Sequence, residues 1–340
     1  MQNQIVTPGN VLGSDGSLSQ HGYSTQAVLG FNRDGIKAPS HRIKEWDFYQ
    51  VSNDHYCLQL TIGHVSYAGD VSVKLFEFET GKRFDFSNML VLPFSGLNMP
   101  SSAEQGDLTY SKKGFHMQFQ VIDGERRLIC KSEGSSKSPT IDIDIRLTQP
   151  DRTSIVLATP FDDDKRFFYY NHKINCMPAS GFARIGEKEY PFESDTAFGL
   201  LDWGRGVWPF SHEWFWGSGS GYVDGKRFGF NIGYGFGNTS AATENILFYD
   251  GTAHKLGHVY FDLQGSGGYM APKVFTSDDG RFEMEFTPIY DRLTKTKLLI
   301  VDTQCHQIFG KFSGKAVLDD GKTIIVKDLV AFAEHAVNRW

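Results

Sequence analysis

Apolar and polar residues alternate one by one through much of this chain. Phe115, Met117, Phe119 and Val121 alternate with His116, Gln118 and Gln120. Ile141, Ile143, Ile145 and Leu147 alternate with Asp142, Asp144 and Arg146, and Phe282, Met284 and Phe286 with Arg281, Glu283 and Glu285. Successive strand side chains point to opposite faces, so each run has one buried and one wet face. That is antiparallel chemistry, because parallel strands buried on both sides read as continuous apolar runs. Asp-Gly pairs at 123–124, 224–225, 250–251, 279–280 and 320–321 stand beside such runs. They supply the positive φ angles that tight hairpins need. The expected fold is all-β, two antiparallel barrel or sandwich domains with few short helices.

A length of 340 residues suits about two domains. Residues 1–40, rich in Gly, Ser, Asn and Gln, read as an irregular leader. An N-terminal β domain over 41–190 and a C-terminal β domain over 191–340 follow. Three segments depart from simple alternation. Residues 196–202 suit a short turn of helix, and 329–337 fit helix and strand equally well. In Phe228–Phe236 large rings alternate with Gly or Asn, the mark of a curved strand or of close approach by a ligand.

Lys plus Arg number 34 and Asp plus Glu 40, a net charge of −6 with no basic stripe, which argues against nucleic acid as a partner. The N-terminus shows no basic segment followed by an apolar one, so the expected location is the cytoplasm. Apolar runs such as Leu298–Val301 are too short to span a bilayer. Cys57, Cys130, Cys176 and Cys305 stand singly and read as reduced, half-buried thiols. His254 and His258 are four apart, which on a strand separates them by about 13 Å and rules out one shared metal. No metalloprotease helix, hydrolase elbow or phosphate loop is present, so neither metal nor cofactor is expected. Oligomeric state is left open.

The densest feature is Leu201–Trp216, which holds Trp203, Trp208, Trp214 and Trp216. If 211–217 is a strand, His212, Trp214 and Trp216 share a face. Such a row can line an apolar pocket with one polar tip, and Trp faces can stabilise a cation. The same rings fill a core equally well. Asp202 and Arg205 flank Trp203 in what reads as a Gly-rich turn. Asp202 is either a general acid among rings or the partner of Arg205. The segment Tyr169–Pro178 adds His172 and Lys173, the ring-and-glycine strand adds Tyr234, and the C-terminal part adds His306 and Glu334. Glu334 and His335 are neighbours, which on a strand sends them to opposite faces. The candidate catalytic groups are therefore Asp202, His212 and Glu334. The candidate ligand contacts are Trp203, Arg205, Trp208, Trp214, Trp216, His172, Lys173, Tyr234 and His306.

Several ordered motifs carry a resemblance. They are Lys44-Glu-Trp-Asp-Phe-Tyr-Gln50, Tyr170-Asn-His-Lys-Ile-Asn-Cys-Met-Pro178, Leu201-Asp-Trp-Gly-Arg-Gly-Val-Trp-Pro209 and Thr243-Glu-Asn-Ile-Leu-Phe248. His306-Gln-Ile-Phe-Gly-Lys-Phe-Ser-Gly314, Phe332-Ala-Glu-His335 and Arg339-Trp340 complete the set. Together, from Gly30 to Trp340, they resemble the bacterial family known as domain of unknown function 2804, which implies no activity. The Trp-rich centre and the Gly-Lys-Phe-Ser-Gly ending resemble, more distantly, the two-domain lipocalin-like group. That group includes carotenoid hydratases, tocopherol cyclases, fungal pericyclases and ceramide-binding survival factors. The resemblance implies lipocalin-like domains and assigns no catalytic residue here. Two functions follow as expectations. One is a cofactor-free enzyme that hydrates, cyclises or isomerises a small apolar or polyene-like molecule in an aromatic pocket. The other is a carrier of a lipid-like ligand, with sugar binding by Trp stacking as a weaker third.

Overall fold

The computed structural model describes residues 2–91, 97–298 and 301–340. Residues 299 and 300 of the apolar run at 298–301 lie outside it. Strands take up 62% of the chain and helix 2%, so the cores must be built by curling sheets. What helix there is consists of single 3₁₀ turns at Arg33–Gly35 and Ser40–Arg42. The all-β expectation holds, and the form is two curled antiparallel half-barrels.

The first sheet runs Arg83–Val91, Ala68–Glu77, Tyr56–His64, Ile43–Ser52, Phe198–Val207, Phe168–Ile185, Ile141–Thr148, Glu125–Ser132, Phe115–Ile122, Leu108–Lys112. Ile155–Pro160 and Lys188–Phe192 also pair with Phe168–Ile185. The second sheet is centred on Ser211–Val223, Thr323–Arg339, Val301–Val317 and Phe282–Leu298. Lys226–Tyr234 lies beside Ser211–Val223. At Asp123-Gly124, Asp224-Gly225 and Asp250-Gly251 both residues have positive φ and join adjacent strands directly, as the hairpin chemistry requires.

Each sheet encloses its own core. Tyr49, Phe119, Ile145 and Trp203 fill the first, and Phe228, Phe230, Phe275 and Phe312 the second. A third cluster, including Phe76, Leu200, Trp216, Phe309 and Phe332, lies where the convex faces of the two sheets meet. The chain passes from the first sheet to the second between Val207 and Ser211. The first forty residues lie over both. Gly22–Ser24 pairs with Ile155–Pro160, and the Gln2 side chain donates to the Leu256 carbonyl at 2.6 Å.

Two local expectations change, and one open reading is decided. Residues 198–202 belong to the strand Phe198–Val207, not to a turn of helix, because hydrogen-bonded neighbours flank it on both sides. Asp202 and Arg205 are accordingly on a strand, not in a turn. Residues 329–337 are strand throughout, held in register between Ser211–Val223 and Val301–Val317. The ring-and-glycine strand ends at Tyr234, where Gly235 and Gly237 at positive φ turn the chain away. Among the described residues no helix is long and apolar enough to cross a membrane.

All four cysteines are free. A reducing agent should therefore leave the melting temperature unchanged, since no cross-link restrains the unfolded chain. A fall of several degrees in differential scanning calorimetry would reveal a disulfide and contradict this arrangement.

Candidate functional site

The two convex faces part at one end of their seam to leave a cavity of about 550 Å³. Strand alternation decides what enters it. On Ile43–Ser52, Trp46 and Phe48 face the cavity while Tyr49 and Val51 face the first core. On Phe198–Val207, Asp202 faces the cavity and Trp203 the core. From the second sheet come Trp214, Trp216 and Glu334. Tyr169, Phe236 and Trp340 close the aromatic end.

Two carboxyl groups enter this space in opposite electrostatic settings. Asp202 accepts from Asn171 Nδ2 at 2.6 Å and from the Trp46 indole at 3.2 Å, and Lys173 Nζ lies 3.4 Å away. Lys173 also lies 3.4 Å from Glu244, donates to Asn171 Oδ1 at 2.8 Å and sits 4.9 Å above the Trp216 ring. Burial opposes the Lys173 charge, but Asp202 and Glu244 outweigh it and raise its pKa. Gly204 makes this possible. A Cβ there would come within 2.5 Å of the Trp46 indole, so only glycine lets that ring cross the strand to reach Asp202.

Glu334 is the other case. Burial raises its pKa, and the charge of Asp202 adds to the rise. The Trp214 indole donates to its Oε1 at 2.7 Å, and with the Arg292 charge it opposes the shift without cancelling it. Glu334 is thus biased towards the neutral acid, while Asp202 is tied into an ion pair. A carboxyl held towards its neutral form and an ion-paired carboxylate in one cavity can between them give and take a proton.

Trp214, Trp216, Lys173, Asp202 and Glu334 are the sequence candidates that meet in the cavity. The other candidates lie elsewhere. Trp203 is in the first core, edge-on to Tyr170 and beneath the Arg205 guanidinium at 4.1 Å. Arg205 is fully buried and pairs with Asp47 at 2.8 Å, so it is not the partner of Asp202. One step along a strand reverses the face, which is why the neighbours diverge. His172 lies on the core side, 2.8 Å from Ser154 Oγ, and burial pushes its pKa down to about 3. His212 does share a face with Trp214, stacking on it at 5.7 Å. It is nevertheless buried behind Trp214 among Trp208, Phe236 and Trp340, with a pKa lowered to about 3 by burial. Trp208 is fully buried against Trp46.

Tyr234 and His306 belong to the interior of the second half-barrel. Tyr234 stacks on Phe215 at 4.6 Å; His306 lies 2.7 Å from Asp291 and stacks on Tyr269 at 3.7 Å. His335, beside Glu334, turns to that side and lies 2.6 Å from Glu213, as alternation requires.

The lining residues Trp46, Phe48, Tyr169, Phe236, Glu244 and Trp340 are absent from the sequence candidates. Trp46 and Phe48 carried a signal, since they alternate with Asp47 and Tyr49. Glu244 reaches the site from the loop between Lys226–Tyr234 and Ile246–Tyr249; it lies in the Thr243–Phe248 motif, but no strand alternation points it to the cavity. Among the described residues no cluster of three His, Cys, Asp or Glu side chains could hold a metal.

The chain is thus a two-sheet all-β protein, two curled half-barrels with a polar-tipped aromatic cavity at their seam. The family model described as "Domain of unknown function (DUF2804)" matches residues 2–340, and the chain belongs to that family. No curated protein matches. Among solved structures, an AttH-type protein of Nitrosomonas europaea is similar at TM-score 0.53 and 14% identity, covering 92% of this chain and 96% of that one. The protein CghA is similar at TM-score 0.53 and 11% identity, covering 98% and 97%. Kievitone hydratase from Nectria haematococca is similar at TM-score 0.51 and 9% identity, covering 98% of each. Likeness at such low identity concerns the fold.

Proposed function

We propose that the chain binds a small apolar, polyene-like molecule in the seam cavity and moves a proton on it without a cofactor. Hydration, cyclisation and isomerisation all fit this description. The carrying observation is that Glu334 and Asp202 enter one aromatic cavity from facing sheets, the first pushed towards neutrality and the second paired with Lys173. The Glu334 O–H donates its proton to an alkene carbon or an oxygen of the substrate. The faces of Trp214 and Trp216 stabilise the cation that develops. Asp202 then accepts a proton from water, for hydration, or from the neighbouring carbon, for isomerisation. The proton returns to Glu334 through solvent, so the cycle balances. The fold shared with a protein named as a hydratase supports this reading. The free cysteines suit a reducing compartment such as the cytoplasm.

Four of the six tryptophans line the cavity, so tryptophan emission tests the proposal directly. A conjugated polyene should quench it saturably, and Trp216→Phe should lessen the quench while Trp203→Phe leaves it unchanged. Mass spectrometry of a solvent extract of natively purified protein should find an apolar molecule of matching size. Quenching that never saturates, together with an empty extract, would remove the ligand reading. Saturable binding with no turnover would leave the chain a carrier.

A further inference from the structure

The aromatic end and the proton-moving groups occupy only part of the cavity. Beginning beside Glu334, which is in register with Gln307, a row of polar side chains crosses both sheets on the seam floor. Lys74 is in register with Gln59, and Gln307 is in register with Arg292. The Gln59 amide donates to Gln307 Oε1 at 2.6 Å, which ties the two rows into one. Two cations thus flank an amide bridge, one from each sheet. Lys74 lines the cavity, and Arg292 lies two residues from the lining Thr294, on the same strand face.

Among the described residues neither cation forms an ion pair, although Lys74 stands in register with Asp85 on the neighbouring strand. Among the described residues, no hydrogen-bond or ion-pair partner meets the Lys74 ammonium or the Arg292 guanidinium, although Arg292 is more than nine-tenths buried. Nearby carboxylates are engaged elsewhere. Asp70 accepts from Ser87, Asp85 pairs with Arg83 at 2.6 Å, and Asp202 pairs with Lys173 at 3.4 Å. Glu334 accepts from the Trp214 indole at 2.7 Å, and burial raises its pKa. The Gln59 Oε1 atom beside them has no donor either. Burial lowers the Lys74 pKa and the like charge of Arg292 lowers it further, while Asp70 and Asp85 offset only part of the fall. Two half-desolvated cations with no direct ion pair are costly, and an anion between them relieves that cost.

We propose that the Lys74–Arg292 end takes the carboxylate of the ligand, which makes the ligand an amphipathic organic acid. Its apolar body lies on Trp46, Phe48, Trp214 and Trp216, with the reacting carbon near Glu334. The carboxylate sets how deeply the chain is inserted and so which carbon meets the acid. Thr294, Thr296 and Thr303 on the same wall offer hydroxyls beside it. This inference rests on the cavity being a ligand site and adds the chemical class of that ligand.

Parinaric acid, a fluorescent polyene carboxylic acid, and its methyl ester form a matched pair for the test. Titrated at neutral pH, the acid should bind about tenfold tighter than the ester, the ratio one charge-assisted hydrogen bond supplies. Lys74→Met should remove that advantage and leave ester affinity within about twofold. Arg292→Gln provides the same readout from the other sheet and stands in if Lys74→Met folds poorly. Equal affinity for acid and ester in the unmodified protein would overturn the inference while leaving the cavity reading intact. An advantage that survives both substitutions would do the same. Failure of both compounds to bind would overturn the cavity reading and this inference with it.

Discussion

Arg205→Met is expected to lower the unfolding free energy by about 3–5 kcal/mol, read from urea denaturation. The guanidinium is fully buried and spends its donors on four oxygens. It donates to the Trp46 and Gly204 carbonyls at 2.8 and 2.9 Å and, through the other amino group, to Asp47 and the Pro100 carbonyl at 2.8 and 2.9 Å. Methionine fills similar volume but leaves the buried Asp47 carboxylate and the Pro100 carbonyl short of donors. Glu45 keeps Arg33 at 2.8 Å and His64 at 3.1 Å, so Asp47 bears most of the loss. The double substitution Arg205→Met with Asp47→Leu should recover a good part of the stability, because it removes the orphaned charge. A loss under about 1 kcal/mol would mean that the charge is not the anchor argued here.

Under the proposed proton transfer, Glu334→Gln should carry the largest effect on turnover. Glutamine keeps the acceptor for the Trp214 indole but offers no acidic proton, so turnover should fall by about 10²–10⁴-fold with binding little changed. A second readout needs no substrate. Burial holds the Glu334 carboxyl above its ordinary value, so the folded protein binds this proton more tightly than the unfolded chain does. Its contribution to stability is therefore complete below the unfolded value of 4.5 and is lost as pH rises through the folded value. The glutamine variant, neutral throughout, should melt with the parent near pH 4 and above it at about pH 8. A variant that melts below the parent at pH 8 would show that Glu334 is a stabilised carboxylate and would end its role as acid.

The extent to which the site can be read from the sequence follows the range of the interactions. Period two and the Asp-Gly turns are local, and they identify the sheets. Alternation also separates Glu334 from His335 correctly. The same rule, applied from Asp202, places Trp203 and Arg205 on the other face, yet density of aromatic and charged residues draws all three into one candidate group. Nothing within a strand says which face looks into a core and which into a cavity. That is decided by partners far along the chain: Trp46 for Asp202 across 156 positions, and Trp214 for Glu334 across 120. Residues 198–202 mislead for a related reason, since a strand buried on both faces loses its alternation.

The walls of the cavity are the outer faces of strands whose inner faces hold the two cores. Neighbouring positions along Ile43–Ser52, Phe198–Val207 and Thr323–Arg339 therefore answer to different demands. A substitution at Trp46, Phe48 or Trp216 reshapes the chamber and removes no side chain from either half-barrel interior, whereas one at Tyr49 or Trp203 does the reverse. Ligand preference can then drift by single steps while each half-barrel retains its own reserve of stability. A codon-randomised library should show this as a two-residue rhythm in tolerance along those strands. Positions facing the chamber would accept more residues than core positions under selection for folding alone, least so at Trp216, which also packs in the seam cluster, and few under selection for binding.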